Sequence, residues 1–486
     1  MSVDTILDEL RAIPGYGDTI PVIDPVTEEQ ITEFRDGGEK AVDEAVARAR
    51  AAFESGIWHG LPGNERAKIL FRAADLIDDN VDLLAELDAL NTGMPIVQAQ
   101  SIIHTSAEFF RYYGGWCTKL NGTAHDVQMT GGVTGTWSNM HAYTLKEPYG
   151  VVGLIFPWNG PVFNACAKLA PALAAGCSVV VKPAEETPLS ALLIVKLLAQ
   201  AGVPDGVVNL VNGYGHTAGA ALTEHPDVDK IAFTGSTEVG KRIVRASAGN
   251  LKRVMLELGG KSPVLIYDDA DLNMAIMMAA MGIFVHSGQG CVCGSRIFVQ
   301  RGVYDQVVDG IAMVANNLEL GGPKEEGAMI GPLISQKQLN RVMGYIDEGR
   351  GDGVEVVAGG HRLDRSGYFV HPTVLTSVDP GMRLYQEEIF GPVAPIMPFD
   401  DDDDDEVVAL ANDTTYGLAA TAWTKDLGRA HRLAKRLEAG TVSLNCQLVF
   451  DHSVPFGGYK QSGWGHEFGR EGIEAYLQTK SVWAQM

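Results

Sequence analysis

The chain is predicted to be an α/β protein built on two parallel-sheet domains, and three observations carry that reading. Short continuous apolar runs, of which Val151-Val152-Gly153-Leu154-Ile155-Phe156 is the clearest, have the pattern of strands buried on both faces. Such runs recur about every 20 to 30 residues with helical periodicity between them, the spacing of βαβ units. With 486 residues, 46% hydrophobic and 20% charged, the chain can fill a large core and is too long for one compact layer.

The elements follow in order. Val42, Val46, Ala49 and Phe53 recur at helical spacing, and a second amphipathic stretch runs from about Arg66 to Leu90, so the first part reads as mainly helical. After the Val151–Phe156 strand, the Asn159-Gly160-Pro161 turn leads into a helix from Val162 to Ala175. Then come a strand at Ser178–Lys182, a helix from about Pro188 to Gln200, a strand at Val207–Val211, a short helix near Ala218 and a strand at Lys230–Phe233. This is a doubly wound pattern, whose ligands sit at the strand carboxyl ends. Beyond Glu257-Leu258-Gly259-Gly260 the alternation restarts with Pro263–Tyr267 and a helix from about Asp271, and it continues to roughly residue 440. The acidic run Asp400 to Asp405 lacks the spaced ligands and central glycine of a calcium loop and reads as a solvated loop leading into a helix. Without repeats or a long linker, the domains are expected to pack closely, with their cleft as the ligand site.

Composition narrows the function. Lys plus Arg number 38 against 61 Asp plus Glu, a formal charge of -23 that repels phosphate backbones and anionic membrane surfaces. No nucleic-acid or membrane partner is expected. Six scattered cysteines make no disulfide framework and suit a reducing, cytoplasmic setting. The acidic start lacks the basic and apolar regions of a secretory signal. The longest apolar run, Met274 to Val285, has 12 residues, short of the ~20 that span a bilayer.

Several residues stand where chemistry is possible. Cys291 lies among small residues in Gly288-Gln289-Gly290-Cys291-Val292-Cys293-Gly294, where a substrate can reach a thiol; on composition alone a buried structural thiol competes with a nucleophile. No second Cys/His pair at ligand spacing accompanies Cys291 and Cys293, so no metal is expected. Glu257, between two leucines and ahead of two glycines, is either paired to a cation or functional. Asn159 follows a buried strand directly, where its amide suits either an oxyanion or a helix N-cap. The strand, glycine turn and helix start of Phe233-Thr234-Gly235-Ser236-Thr237-Glu238-Val239-Gly240 would bring free N–H groups to a pyrophosphate, although Gly-x4-Gly is not the dinucleotide fingerprint. Lys182 and Glu185 close another strand. They read either as ribose contacts, the carboxylate disfavouring a 2′-phosphate and so favouring NAD over NADP, or as a surface ion pair.

Seven ordered motifs then coincide. Phe156-Pro-Trp-Asn159, Lys182-Pro-Ala-Glu185, Phe233-Thr-Gly-Ser-Thr-Glu-Val-Gly240, Leu256-Glu-Leu-Gly-Gly-Lys261, Gly288-Gln-Gly-Cys291, Glu387-Glu-Ile-Phe-Gly-Pro392 and Pro455-Phe-Gly-Gly-Tyr-Lys460 together resemble the NAD(P)-dependent aldehyde dehydrogenase superfamily, over nearly the whole chain. The resemblance implies a Rossmann-type cofactor domain (1–127 with 149–259), an α/β catalytic domain (260–450) and a small β oligomerisation element (128–148 with 451–486). It implies that Cys291 attacks the aldehyde, that Asn159 and the Cys291 N–H hold the oxyanion, and that, after hydride transfer to the nicotinamide, Glu257 activates the water that cleaves the thioester. For the cofactor, NAD, it implies contacts from Lys182 and Glu185 at the adenosine ribose, Ser236 at the pyrophosphate, Glu388 at the nicotinamide ribose and Phe390 beside the ring. Ile155, Trp158, Gly215, Gly235, Gly240 and Leu258 complete that set.

The same likeness implies a homodimer or a tetramer of dimers, and the β-rich stretch Val133 to Lys146 would leave an exposed edge if unpaired. The sequence departs from its relatives at His286, where Asn is common, and at Gly290, where a bulkier residue often precedes the nucleophile. Gly160, Ala167 and Val285 stand where relatives acting on small aldehydes carry large side chains, so with Asn164, Phe450 and Phe456 the pocket is expected to take a bulky aromatic or terpenoid-like aldehyde. Two other readings compete: a catalytically silent binding protein on the same fold, and a dehydrogenase that acylates coenzyme A. Relatives of the second kind generally lack the glutamate at position 257.

Overall fold

A computed structural model describes residues 1–127, 140–400 and 404–485. The apolar runs form the two predicted sheets. In the first, Gly463–Trp464, Arg253–Glu257, Lys230–Thr234, Val151–Phe156, Ser178–Pro183 and Val208–Leu210 lie side by side in that order, parallel except for the short first strand. The chain steps outward from Val151–Phe156 and then returns to its other flank with Lys230–Thr234. The carboxyl ends of those two strands therefore flank the topological switch point.

Every residue of Val151–Phe156 and Ser178–Pro183 is buried, because helices cover both faces. Helices Pro161–Ala175 and Leu189–Ala201 cover one face, packed beneath the N-terminal helices Gly63–Asp79, Val81–Thr92 and Ile96–Gly114. Gly38–Glu54 and Thr237–Ser247 cover the other. The second sheet has seven strands, with Pro263–Ile266 between Arg296–Gln300 and Ala419–Trp423, again parallel except at one edge, Glu355–Ala358.

Two elements differ from the sequence reading. An antiparallel pair, Thr19–Ile23 with Gln30–Arg35, precedes the helices. The stretch from Arg66 to Leu90 is two helices, broken at Asn80, whose side-chain amide donates to the Leu76 carbonyl (2.8 Å) in competition with the helical backbone. Residues 133–139 of the β-rich stretch, and 401–403 of the acidic run, lie outside the described residues. Met140–Pro148 pairs along its whole length with Leu477–Gln485, whose outer edge has no strand partner among the described residues, and a helix starts at Asp404. The segment after residue 450 is shared, since Gly463–Trp464 joins the first sheet. No helix among the described residues is long and apolar enough to cross a membrane.

Candidate active site

A crevice of about 420 Å3 opens at the switch point. Trp158 and Asn159 enter it from the end of Val151–Phe156, Gly235 and Ser236 from the end of Lys230–Thr234, and Leu258 from the end of Arg253–Glu257. Cys291, Glu388 and Phe390 enter from the second domain. Eight of the sequence-predicted residues therefore meet in one place, although they come from segments up to 232 residues apart in sequence (158 to 390). Trp158 and Phe390 meet edge to face, 5.4 Å between ring centroids, and close one side.

The turn that carries Cys291 is held by contacts that its own sequence does not reveal. Helix Leu272–Phe284 ends at Val285, and His286 and Ser287 then adopt left-handed backbone (φ 53° and 56°). Gly288 also has positive φ, and a Cβ there would lie 2.1 Å from the Gly391 carbonyl oxygen, so this position takes only glycine. Gln289 anchors the turn: its side chain accepts from Ile334 N–H (2.9 Å), and its carbonyl accepts from the Asn159 amide (2.8 Å). Gly260 lets the strand end approach Cys291, since a Cβ there would stand 2.3 Å from the Cys291 carbonyl oxygen. All six cysteines are free; Cys291 is partly exposed, whereas its neighbour Cys293 is buried.

Burial shifts the ionisable groups of the site. Burial pushes the Cys291 thiol well above its ordinary range, and Glu388, Cys293 and Glu257 add to the shift. Glu257 is 3% exposed, and neither carboxyl oxygen has a hydrogen-bond partner among the described residues. It makes no ion pair with a cation among the described residues. Burial, then Glu467, hold its carboxyl well above the usual carboxylate range, while Lys168 pulls it down. Burial pushes Glu388 up to about 7 against the N–H of Gly260, which donates to its carboxylate (2.9 Å). His286 is pushed down to about 4 by burial and is neutral beside the Asn159 backbone.

Asn159 is not the helix N-cap; Gly160 occupies that position, with Pro161 as the first helical residue. Ser236 caps Thr237–Ser247 by accepting from Val239 N–H (3.3 Å). Lys182 is buried and forms an ion pair with the partly exposed Glu185 (3.4 Å), whose carboxylate approaches Gly215 N–H (3.5 Å); Lys182 also donates to the Pro183 carbonyl (2.5 Å). Gly240 packs on Leu258, and Ile155 lies in the core with Phe233. Asn164 donates to the Gly160 carbonyl (2.9 Å), and Ala167 is buried one turn further along that helix. Phe450 and Phe456 are 5.9 Å apart in an aromatic cluster with Phe163 and Phe468.

Sequence reasoning missed those last two rings and also missed Lys337, Gln338 and Arg341, which line the crevice from helix Gln336–Gly351. Gln338 donates to the Phe390 carbonyl (2.7 Å) and Arg341 to the Glu388 carbonyl (2.5 Å), so this helix sets the backbone that carries both predicted cofactor contacts. Its sequence is that of an ordinary amphipathic helix, and no local signal marks it.

Comparison with known proteins gives the family. The sequence model of the Aldehyde dehydrogenase family matches residues 13–482. The chain belongs to the aldehyde dehydrogenase family. It is 45% identical over 468 residues to aldehyde dehydrogenase 1 of Tanacetum cinerariifolium (96% of this chain, 92% of that one). It is 44% identical over 469 residues to the mouse cytosolic aldehyde dehydrogenase 1 (96% and 91%). Among solved structures, the NAD+ complex of an aldehyde dehydrogenase from Bacillus cereus superposes with a TM-score of 0.93 at 46% identity, covering 96% of this chain and 94% of that one.

Proposed function

We propose that this aldehyde dehydrogenase oxidises a bulky aldehyde to its carboxylic acid with NAD+ through a covalent adduct on Cys291. The observation that carries the reading is the shared crevice: the thiol, the Asn159 amide and the Glu388 carboxylate open onto one cavity at the switch point. The crevice suits NAD+. The turn at Gly235 and Ser236 stands at a helix N-terminus where a pyrophosphate is favoured, and the carboxyl oxygens of buried Glu388 can accept from ribose hydroxyls.

The Cys291 thiolate attacks the carbonyl carbon, and the oxygen that gains charge is met by the Asn159 amide and the Cys291 N–H. Bound NAD+ supplies the two-electron oxidant that takes this carbon to the acyl level. The thiol is protonated at rest, so a base must release it. Glu257, whose raised pKa makes its carboxylate a stronger base, serves there and later takes the proton of the attacking water. That water's oxygen bonds to the thioester carbon, the C–S bond breaks and the acid leaves.

A wide pocket is supported by small residues at Gly160 and Ala167 and by the Phe163, Phe450, Phe456 and Phe468 rings as apolar walls. The domains are read as 1–127 with 149–259 for the cofactor, 260–450 for catalysis, and 128–148 with 451–486 as a bridging element. The outer edge of Leu477–Gln485, which has no strand partner among the described residues and carries the half-exposed Trp483, supports a homodimer or tetramer; the location is read as cytoplasmic.

NADH formation with an aldehyde panel, in wild type and Cys291→Ser, tests the proposal. The expected result is faster turnover of benzaldehyde-type than two-carbon substrates, lost in the variant. Equal activity in both proteins overturns the covalent route, and a strong preference for acetaldehyde overturns the substrate class.

A further inference from the structure

Away from the crevice, two imidazoles face each other on the surface of the catalytic domain. His361 and His371 stand opposite across a short antiparallel pairing, next to the Arg362–Val370 bridge, with His371 N–H donating to the His361 carbonyl (3.0 Å). Directly opposed residues share a face of such a pair, and the rings lie 4.4 Å apart at 42°. The His361 Nδ1 is 3.0 Å from the Gly359 carbonyl oxygen. A carbonyl only accepts, so Nδ1 carries the proton and Nε2 the lone pair. That second-side bond is the arrangement that orients a metal-ligating histidine. Among the described residues no hydrogen bond engages the His371 ring.

We propose that His361 and His371 form a two-imidazole site for a divalent transition-metal cation of the Ni2+, Cu2+ or Zn2+ kind. Two nitrogens bound side by side at about 2.1 Å from one ion stand about 3 Å apart, which rings this close reach by rotating about their side-chain bonds. His361 is exposed and His371 half-buried, so water completes the coordination. No third His, Cys, Asp or Glu makes a triad with them among the described residues. The site is therefore open and exchangeable. Arg350, which donates to the Gly360 carbonyl beside it, is itself paired with Asp347.

Titration calorimetry with NiCl2 on the reduced, chelator-treated full chain tests the site. The expected result is one equivalent bound, weakened about tenfold or more in His361→Ala and equally in His371→Gln, which keeps the side chain's bulk. The Cys291→Ser protein should bind like wild type. Unchanged binding in the two histidine variants, loss of binding in Cys291→Ser, or no binding by wild type each overturns the proposal.

Discussion

The side-chain amide of Asn159 donates to the backbone carbonyl of Gln289, 2.8 Å away, two residues before Cys291. This bond ties the end of a cofactor-sheet strand to the Cys291 turn of the other domain. An amide nitrogen carries two hydrogens, and the second has no acceptor among the described residues. One hydrogen therefore fixes the amide and the other is left to meet an oxyanion. Asn159→Ala is expected to lower kcat by about 10^2 to 10^3. Alkylation of Cys291 by iodoacetamide, which forms no oxyanion, should change only a few-fold. Equal losses in the two reactions would mean that the bond only shapes the turn.

In the proposed mechanism Glu257 couples catalysis to stability. Its folded pKa is raised by burial, so between the ordinary carboxylate range and that raised value the native state holds a proton that the unfolded chain has released. Stability then falls as pH rises through this window. Glu257→Gln removes the penalty, and Tm at pH 8 is expected to rise by about 2 °C or more while acid formation collapses. The activity of wild type should climb with pH as the carboxyl ionises. A variant that loses both activity and Tm would show Glu257 to be structural.

The strands were legible because residues buried on both faces leave continuous apolar runs, and Val151–Phe156 and Ser178–Lys182 agree with the structure nearly to the residue. Cys291, Glu257 and Asn159 could be singled out locally, but their patterns left each open between a structural and a functional reading, and the seven ordered motifs supplied the roles. Gln289, Gln338 and Arg341 could not be singled out. They act by reaching backbone carbonyls or N–H groups far away in sequence, and a polar residue on a helix or turn looks the same whether it meets water or a distant peptide group. The break at Asn80 is similar: an amide folding back on its own helix competes with a periodicity that continues on either side.

Glu185 bears on cofactor choice. Its carboxylate lies between Lys182 Nζ (3.4 Å) and Gly215 N–H (3.5 Å), at the end of the strand next to the switch point. A 2′-phosphate carries up to about two negative charges and would be repelled there. Glu185→Ser is expected to raise the ratio of kcat/KM for NADP+ to that for NAD+ by about tenfold, equivalent to ~1.4 kcal/mol. An unchanged ratio would assign discrimination to another part of the crevice.

Behind Glu257 the Lys168 ammonium pairs with the Glu467 carboxylate, both nearly inaccessible to water. Glu467 raises and Lys168 lowers the Glu257 pKa, so the pair sets the charge felt by the base as well as bridging helix Pro161–Ala175 to the C-terminal segment. Removing one member strands the other charge in the core, which costs about 3–5 kcal/mol. Glu467→Gln should therefore lower urea-unfolding stability by roughly that amount. Taking away a negative neighbour also makes Glu257 easier to ionise, so the rise of activity with pH should move to lower pH. Lys168→Met should destabilise similarly but move the rise to higher pH. Opposite shifts at matched loss of stability are the signature of electrostatic coupling, and shifts of the same sign would leave the pair as a packing feature alone.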